Sequence, residues 1–272
     1  MNNFIWALKF LTTLPVRSKT GEFSEKHNYI VFWFPIVGIV IGIILSIFYV
    51  IFQYVFPCFI SNALVLILYI IITGALHLDG FADSCDGIFG GWNRERRLEI
   101  MKDSHIGSYG TIGLVCITGV RYVCLLCIGD YSSGKETITV LSPTFHMITS
   151  KYISSGLLLK IIVLCLMPVA GRWAQVFASG ISHYARETSG TGAFIVNSTT
   201  MRHVIIASII PLLLMLFFFR IKGLAACTII VILTLCAIWY IKKKIGGMTG
   251  DTLGAINEMA EIIFLLSIFV VF

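Results

Sequence analysis

The chain has 272 residues, 57% of them hydrophobic and only 12% charged, with a formal net charge of +6. Soluble domains carry about 25% charged residues, so this deficit and a mean hydropathy of +0.92 exclude an ordinary soluble domain and indicate an all-α, polytopic integral membrane protein. The positive balance sits in loop lysines and arginines, and no basic stripe with interleaved aromatics points to nucleic acid.

In chain order, residues 1–29 read as a short interfacial helix and a loop, with Phe4, Ile5, Leu8 and Leu11 on one face and Pro15 ending the run. Apolar runs follow at 31–52, 61–78, 108–128, 157–179, 203–220, 223–241 and 255–272. A span needs ~20 residues, so about seven transmembrane helices are expected. Phe34-Pro35 and the Gly38-xxx-Gly42 pair suggest close helix packing in the first span, and Pro168, Gly171 and Arg172 are expected to interrupt the fourth. With the N-terminus in the cytoplasm, thirteen Lys and Arg fall on the inner side and four (Lys135, Lys151, Arg220 and Lys222) outside. That asymmetry predicts an N-in, C-out topology. Residues 87–106, rich in Arg, Glu and Lys, read as a cytoplasmic amphipathic segment. No internal repeat appears, so 1–272 is expected to be one membrane-embedded domain. The eight cysteines, including the Cys124/Cys127 pair, read as small buried hydrophobes.

Three constellations carry chemistry. Asp79, Asp83 and Asp86 follow the second apolar run at i, i+4, i+7, within a helical wedge of roughly 60°. Unpaired acids are costly at a membrane boundary, and oxygen-only ligands favour Mg²⁺, Mn²⁺ or Ca²⁺. Flanking Gly80 and Gly87 would let phosphate oxygens approach the backbone. Asp251, Glu258 and Glu261 form a second acidic face of about 80°; capping explains Asp251 but not Glu261 at membrane depth. The third is basic: Arg94, Arg96, Arg97 and Lys102 beside the first face, Arg172 inside the fourth span, and Arg186 after it. The partner of Arg172 is either an acid or a phosphate. Metal-binding acids and phosphate-binding arginines on one side suit in-line phosphoryl transfer.

At these residues the sequence resembles the cobalamin synthase (adenosylcobinamide-GDP ribazoletransferase) family. The likeness runs through KFLTTLPV (9–16), FPIVGIVIG (34–42), the dense block 74–110, GRW (171–173), HYARETSGTG (183–192) and GDTLGAINEMAEI (250–262). It implies a Mg²⁺-dependent multi-pass transferase of the bacterial cytoplasmic (inner) membrane, its active site facing the cytoplasm. The substrates would be adenosylcobinamide-GDP and α-ribazole or α-ribazole 5′-phosphate, and GMP would be released at the last step of cobalamin assembly. Asp79, Asp83 and Asp86 carry over as metal ligands, while Lys102, Asp103, Arg186, Asp251 and Glu258 also match family positions. Asp86 or His77 would accept the attacking hydroxyl's proton. Where the family often has Arg, this chain has His105, which would make any phosphate contact there pH-dependent. Membrane lipid is an expected partner, and a homo-oligomer is compatible with the sequence. Two alternatives are a CDP-alcohol phosphotransferase of lipid synthesis and a divalent-cation transporter.

Overall fold

The computed structural model describes residues 2–16, 29–131, 155–187 and 191–271. Arg17, Lys19, Lys26, Lys135 and Lys151, which enter the charge asymmetry, lie outside them, as do residues 188–190 of the family-like HYARETSGTG stretch. The described chain is helical: α1 (Asn2–Leu11), α2 (Phe34–Val55, entered through a 3₁₀ turn at Ile30–Trp33), α3 (Cys58–Thr73), α4 (Leu76–Gly90), α5 (Arg94–Ile100), α6 (Ser108–Tyr131), α7 (Ser155–Gly180), α8 (Thr191–Ser198), α9 (Met201–Ile245) and α10 (Gly250–Val271). α1 buries Ala7, Leu8 and Leu11. Thr12 closes it by donating to the Leu8 carbonyl at 2.6 Å, so the helix stops before Pro15 is reached.

Among the described residues, five helical segments are long and apolar enough to cross a membrane, and α3 with α4 makes a sixth, bent by 89°. The bend has a backbone cause. Gly74 and Ala75 both take the left-handed conformation (φ 60° and 56°), which ends α3 and restarts the helix in a new direction. The expected second span, 61–78, therefore splits, and the acids that follow it sit on a separate helix nearly at right angles to α3.

The expected spans 203–220 and 223–241 belong to α9, whose 45 residues contain one non-helical residue, Arg220 (φ 54°, ψ −135°). The chain folds back there. A Cβ on Gly223 would stand 2.3 Å from the Met215 carbonyl oxygen, a proximity that no straight helix gives to residues eight apart. Val204 of the first arm and Lys242 of the second both reach the end of α7, at Gly180 and at the Ile181 carbonyl. The two arms of α9, the bent pair and the four remaining long helices together correspond to the seven expected apolar runs.

α7 differs from expectation: it runs unbroken from Ser155 to Gly180 through Pro168. Membrane helices tolerate such a proline when neighbours stabilise the freed backbone, and α2 lies directly alongside. Cβ atoms on Gly38 and Gly42 would stand 2.8 Å and 2.4 Å from the α7 backbone at Val169 and Cys165, which is the close crossing that the glycine spacing suggested. Residues 87–106 form the end of α4, the short α5 and a turn instead of one amphipathic helix, and α5 buries none of its residues.

Candidate functional site

Two polar layers lie where α4 meets α10. The outer layer begins with Asp79, exposed, and Asp83, half-buried, one turn apart on α4. No hydrogen bond or ion pair from a described residue engages either carboxylate. Asp251 joins them because α4 and α10 touch through backbone: a Cβ on Gly80 would stand 2.8 Å from the Asp251 carbonyl oxygen, and one on Gly254 would be 3.2 Å from His77. Asp83 thus lies in the field of Asp79, Asp251 and Asp86, with Arg186 as counter-charge. Arg186 holds Asp251 at 3.0 Å, the two side chains 14% and 25% exposed. Its position is set by a bridge from Ala185 N–H to the Met248 carbonyl (2.8 Å) and from Met248 N–H to the His183 carbonyl (2.9 Å).

Among the described residues no three His, Cys, Asp or Glu side chains close around one point as a complete metal cage. Asp79, Asp83 and Asp251 are an open, all-oxygen set whose charge exceeds that of Arg186. Mg²⁺ keeps several waters and takes one or two carboxylates together with phosphate oxygens, so the donor set fits it.

The inner layer is buried and paired. Arg121 of α6 reaches Glu258 at 2.5 Å and Glu261 at 3.0 Å, with all three side chains at most 3% exposed. Arg172 of α7 donates to Asn257, and approaches Glu261 at 3.4 Å and the Tyr69 hydroxyl at 3.5 Å. Tyr69 donates to Glu261, and the Asn257 amide donates to Glu258 at 3.2 Å and to Glu261 at 3.1 Å. Two guanidinium and two carboxylate groups balance, and Gly171 leaves the space, since a Cβ there would stand 2.6 Å from both Asn257 and Glu261.

This arrangement revises several expected roles. Glu258 is not a surface metal ligand, because Arg121 neutralises it inside the bundle. Arg172 is fully buried and meets an acid, not a phosphate. Asp86 turns away from Asp79 and Asp83. Its two oxygens accept the N–H groups of Gly107 (2.7 Å) and Gly110 (2.8 Å), where the positive end of α6 favours an anion. Cβ atoms on those two glycines would stand 2.4 Å and 2.3 Å from the same carboxylate, so neither position has room for a side chain. His77 is buried on the α10-facing side of α4, with Gln175 donating to its ring at 3.1 Å. An offset of two residues on a helix is about 200°, so it faces away from Asp79. Neither expected proton acceptor, Asp86 or His77, has a free atom on the acidic face.

Gly80 and Gly87 serve packing instead of phosphate approach; a Cβ on Gly87 would stand 2.4 Å from the Met101 side chain. Arg97 donates to the Lys244 carbonyl at 3.1 Å and tethers α5 to the end of α9. Lys102 is exposed. Asp103 accepts from the His105 N–H at 3.0 Å and pairs with its ring at 2.7 Å. These contacts hold the Asp103 carboxyl below the usual carboxylate range. The outer layer therefore unites Asp79, Asp83, Asp251 and Arg186, and leaves Lys102, Asp103 and Arg97 on the neighbouring α5 edge.

Arg121, Tyr69, Gln175 and Asn257 complete the inner layer without having been singled out as site residues. Arg121 carried a usable signal, since a cation inside an apolar run requires a buried partner. The identity of that partner, 137 residues away in sequence, did not follow from helical spacing.

A family model described as cobalamin-5-phosphate synthase matches residues 3–269. The chain is similar to proteins named adenosylcobinamide-GDP ribazoletransferase from Acetivibrio thermocellus (32% identical, covering 94% of this chain and 93% of that protein), Clostridium novyi (34%, 98% and 96%) and Clostridium acetobutylicum (31%, 98% and 95%). No solved structure matches.

Proposed function

This chain belongs to the cobalamin-5-phosphate synthase family, and from that membership we propose that it catalyses the last assembly step of cobalamin. The cobinamide-phosphate group of adenosylcobinamide-GDP passes to α-ribazole or α-ribazole 5′-phosphate. The ribose 3′-hydroxyl attacks the phosphorus bonded to cobinamide, the bond from that phosphorus to the GMP oxygen breaks, and GMP leaves. The products are adenosylcobalamin or its 5′-phosphate. The observation that carries this reading is the match over residues 3–269, supported by an acidic face that holds unpaired carboxylates beside an arginine.

Asp79 and Asp83, with Asp251, are the residues that would hold Mg²⁺, which when bound supplies charge neutralisation to the diphosphate. Arg186, only partly exposed and already poised by Asp251, binds the phosphate oxygens and orients them for attack. Asp79 and Asp83, the acids of this face without a partner among the described residues, include the acceptor of the hydroxyl proton. The inner ion network fixes the rotation of α10 and thereby the place of Asp251. The face lies toward the cytoplasm in the N-in topology that the loop charges favour, in a bacterial cytoplasmic membrane. A cation-transporter reading loses support because Glu258 and Glu261, the acids deepest in the span, are both engaged by arginine.

The test is GMP release from purified protein in lipid, given adenosylcobinamide-GDP, α-ribazole and Mg²⁺. GMP is expected with Mg²⁺ and not with a chelator. Folded protein that yields no GMP, or that releases CMP from a CDP-linked donor, overturns the proposal.

A further inference from the structure

On the side of α4 away from its acids, a groove of about 480 Å³ runs between α4, α6, the second arm of α9 and α10. Its volume falls within the ~300–1,000 Å³ of ligand pockets. Phe89 of α4 lies at its outer end, Cys116 and Val120 of α6 form one wall, Tyr240 of α9 the other, and Met259 and Ile263 of α10 the floor. Phe89, Cys116, Val120 and Tyr240 are all exposed, so the groove opens sideways between α6 and α9 along a surface that a bilayer would cover. Its extent along α10, from Ala255 to Ile263, is about 12 Å, enough for the upper part of an extended hydrocarbon chain.

The mouth is basic. Lys244 lies over the ring of groove-lining Tyr240 at 5.4 Å. At the same end, Arg97 joins the Ile88 carbonyl of the groove to the Lys244 carbonyl, and Arg96 lies over the ring of Trp92 at 5.8 Å. Aromatic rings with cationic tips characterise the headgroup level of a bilayer. A hydrocarbon slot ending in a lysine is complementary to a molecule with an apolar chain and an anionic head. We propose that this groove binds one anionic phospholipid of the surrounding membrane, with an acyl chain between α6 and the second arm of α9 and the headgroup phosphate on Lys244. The lipid does not share the acidic face, because the groove residues of α4 occupy roughly the opposite side of that helix from Asp79 and Asp83.

The test is native mass spectrometry of the full chain, released from nanodiscs holding equal phosphatidylglycerol and phosphatidylcholine of one chain length. The wild type is expected to retain a single phosphatidylglycerol, with roughly fivefold preference over phosphatidylcholine, the several-fold contribution of one lysine near an anionic headgroup. Lys244→Gln is expected to lose that preference while still retaining lipid. Cys116→Trp, which fills the groove from its exposed wall, is expected to retain neither lipid. Equal retention of both lipids by the wild type, undiminished phosphatidylglycerol in Cys116→Trp, or a dimer that disappears with Cys116→Trp each overturns the proposal; the last would assign the groove to a second copy of the chain. Circular dichroism of each variant in the same nanodiscs confirms that helix content is unchanged.

Discussion

The outer and inner polar layers both set carboxylates beside arginine and share α10, yet they differ in whether each charge has a protein partner. Asp79 and Asp83 stand at the surface without a hydrogen bond or ion pair from a described residue. Glu258 and Glu261, two to three turns along α10 from Asp251, are enclosed and shared by two arginines, a tyrosine and an asparagine. Burial of an unpaired carboxylate is prohibitively costly, so the inner acids exist in the structure only with their counter-charges. The outer acids can remain open because water solvates them. A carboxylate's role in this bundle is therefore legible from its partner, not from its position on a helical wheel.

The sharpest way to break the distinction is to remove an inner cation. Arg121→Met leaves Glu258 without its closest partner, and about 3–5 kcal/mol of stability should be lost, seen as a large fall in the unfolding midpoint in mild detergent. Arg121→Met/Glu258→Met, which removes both charges, should recover most of it; failure to recover would mean that the network acts through its hydrogen bonds more than its charge balance. The outer layer should behave in the opposite way. Asp83→Asn should keep its unfolding midpoint, within about 0.5 kcal/mol, and lose about 10²–10³-fold in GMP release. A folded Asp83→Asn protein with full turnover would remove this aspartate from the site.

Smaller effects sharpen the boundary between the layers. Gly110→Ala places a methyl group 2.3 Å from Asp86 and should cost about 1–3 kcal/mol, with activity falling only as far as folded protein does. That outcome would identify Asp86 as the anchor of α6. Arg186→Gln opens a partly exposed pair and should change stability by no more than ~1 kcal/mol, while raising the apparent KM for the GDP-linked donor. The smallest effect belongs to the α5 edge. The Asp103 carboxyl is held low by the His105 contacts, so its contribution to local order is complete above the ordinary carboxylate value of ~3.9 and lost as pH falls through the lower folded value. Amide exchange at His105 should therefore be slower than in Asp103→Ala at neutral pH, and that difference should disappear as pH falls below about 4.

Much of the fold was readable in the sequence because hydropathy reports burial in lipid directly: α2, α6, α7, both arms of α9 and α10 all lie where apolar runs predicted them. Two backbone features were not readable. The Gly74–Ala75 bend depends on a left-handed alanine that composition does not announce, and the proline of α7 looked like a break but is accommodated in a packed helix. Residue type and spacing singled out Asp79, Asp83, Asp251 and Arg186, which the fold brings together. The reassignment of Asp86, Glu258, His77 and Arg172 required contacts between residues 21 to 137 positions apart, which a one-dimensional period does not encode.

The reversal at Arg220 decides on which face of the membrane the chain delivers its last helix. An uninterrupted 45-residue rod would extend about 67 Å, more than twice the ~30 Å hydrocarbon thickness, and would carry Asp251 far from Arg186. Folding the rod in half makes the number of crossings between α7 and α10 even, so the thread departs and returns at one level. The pairing of Arg186 with Asp251 is in that sense a matter of parity, and an insertion that changed the crossing count would separate the two residues without altering either.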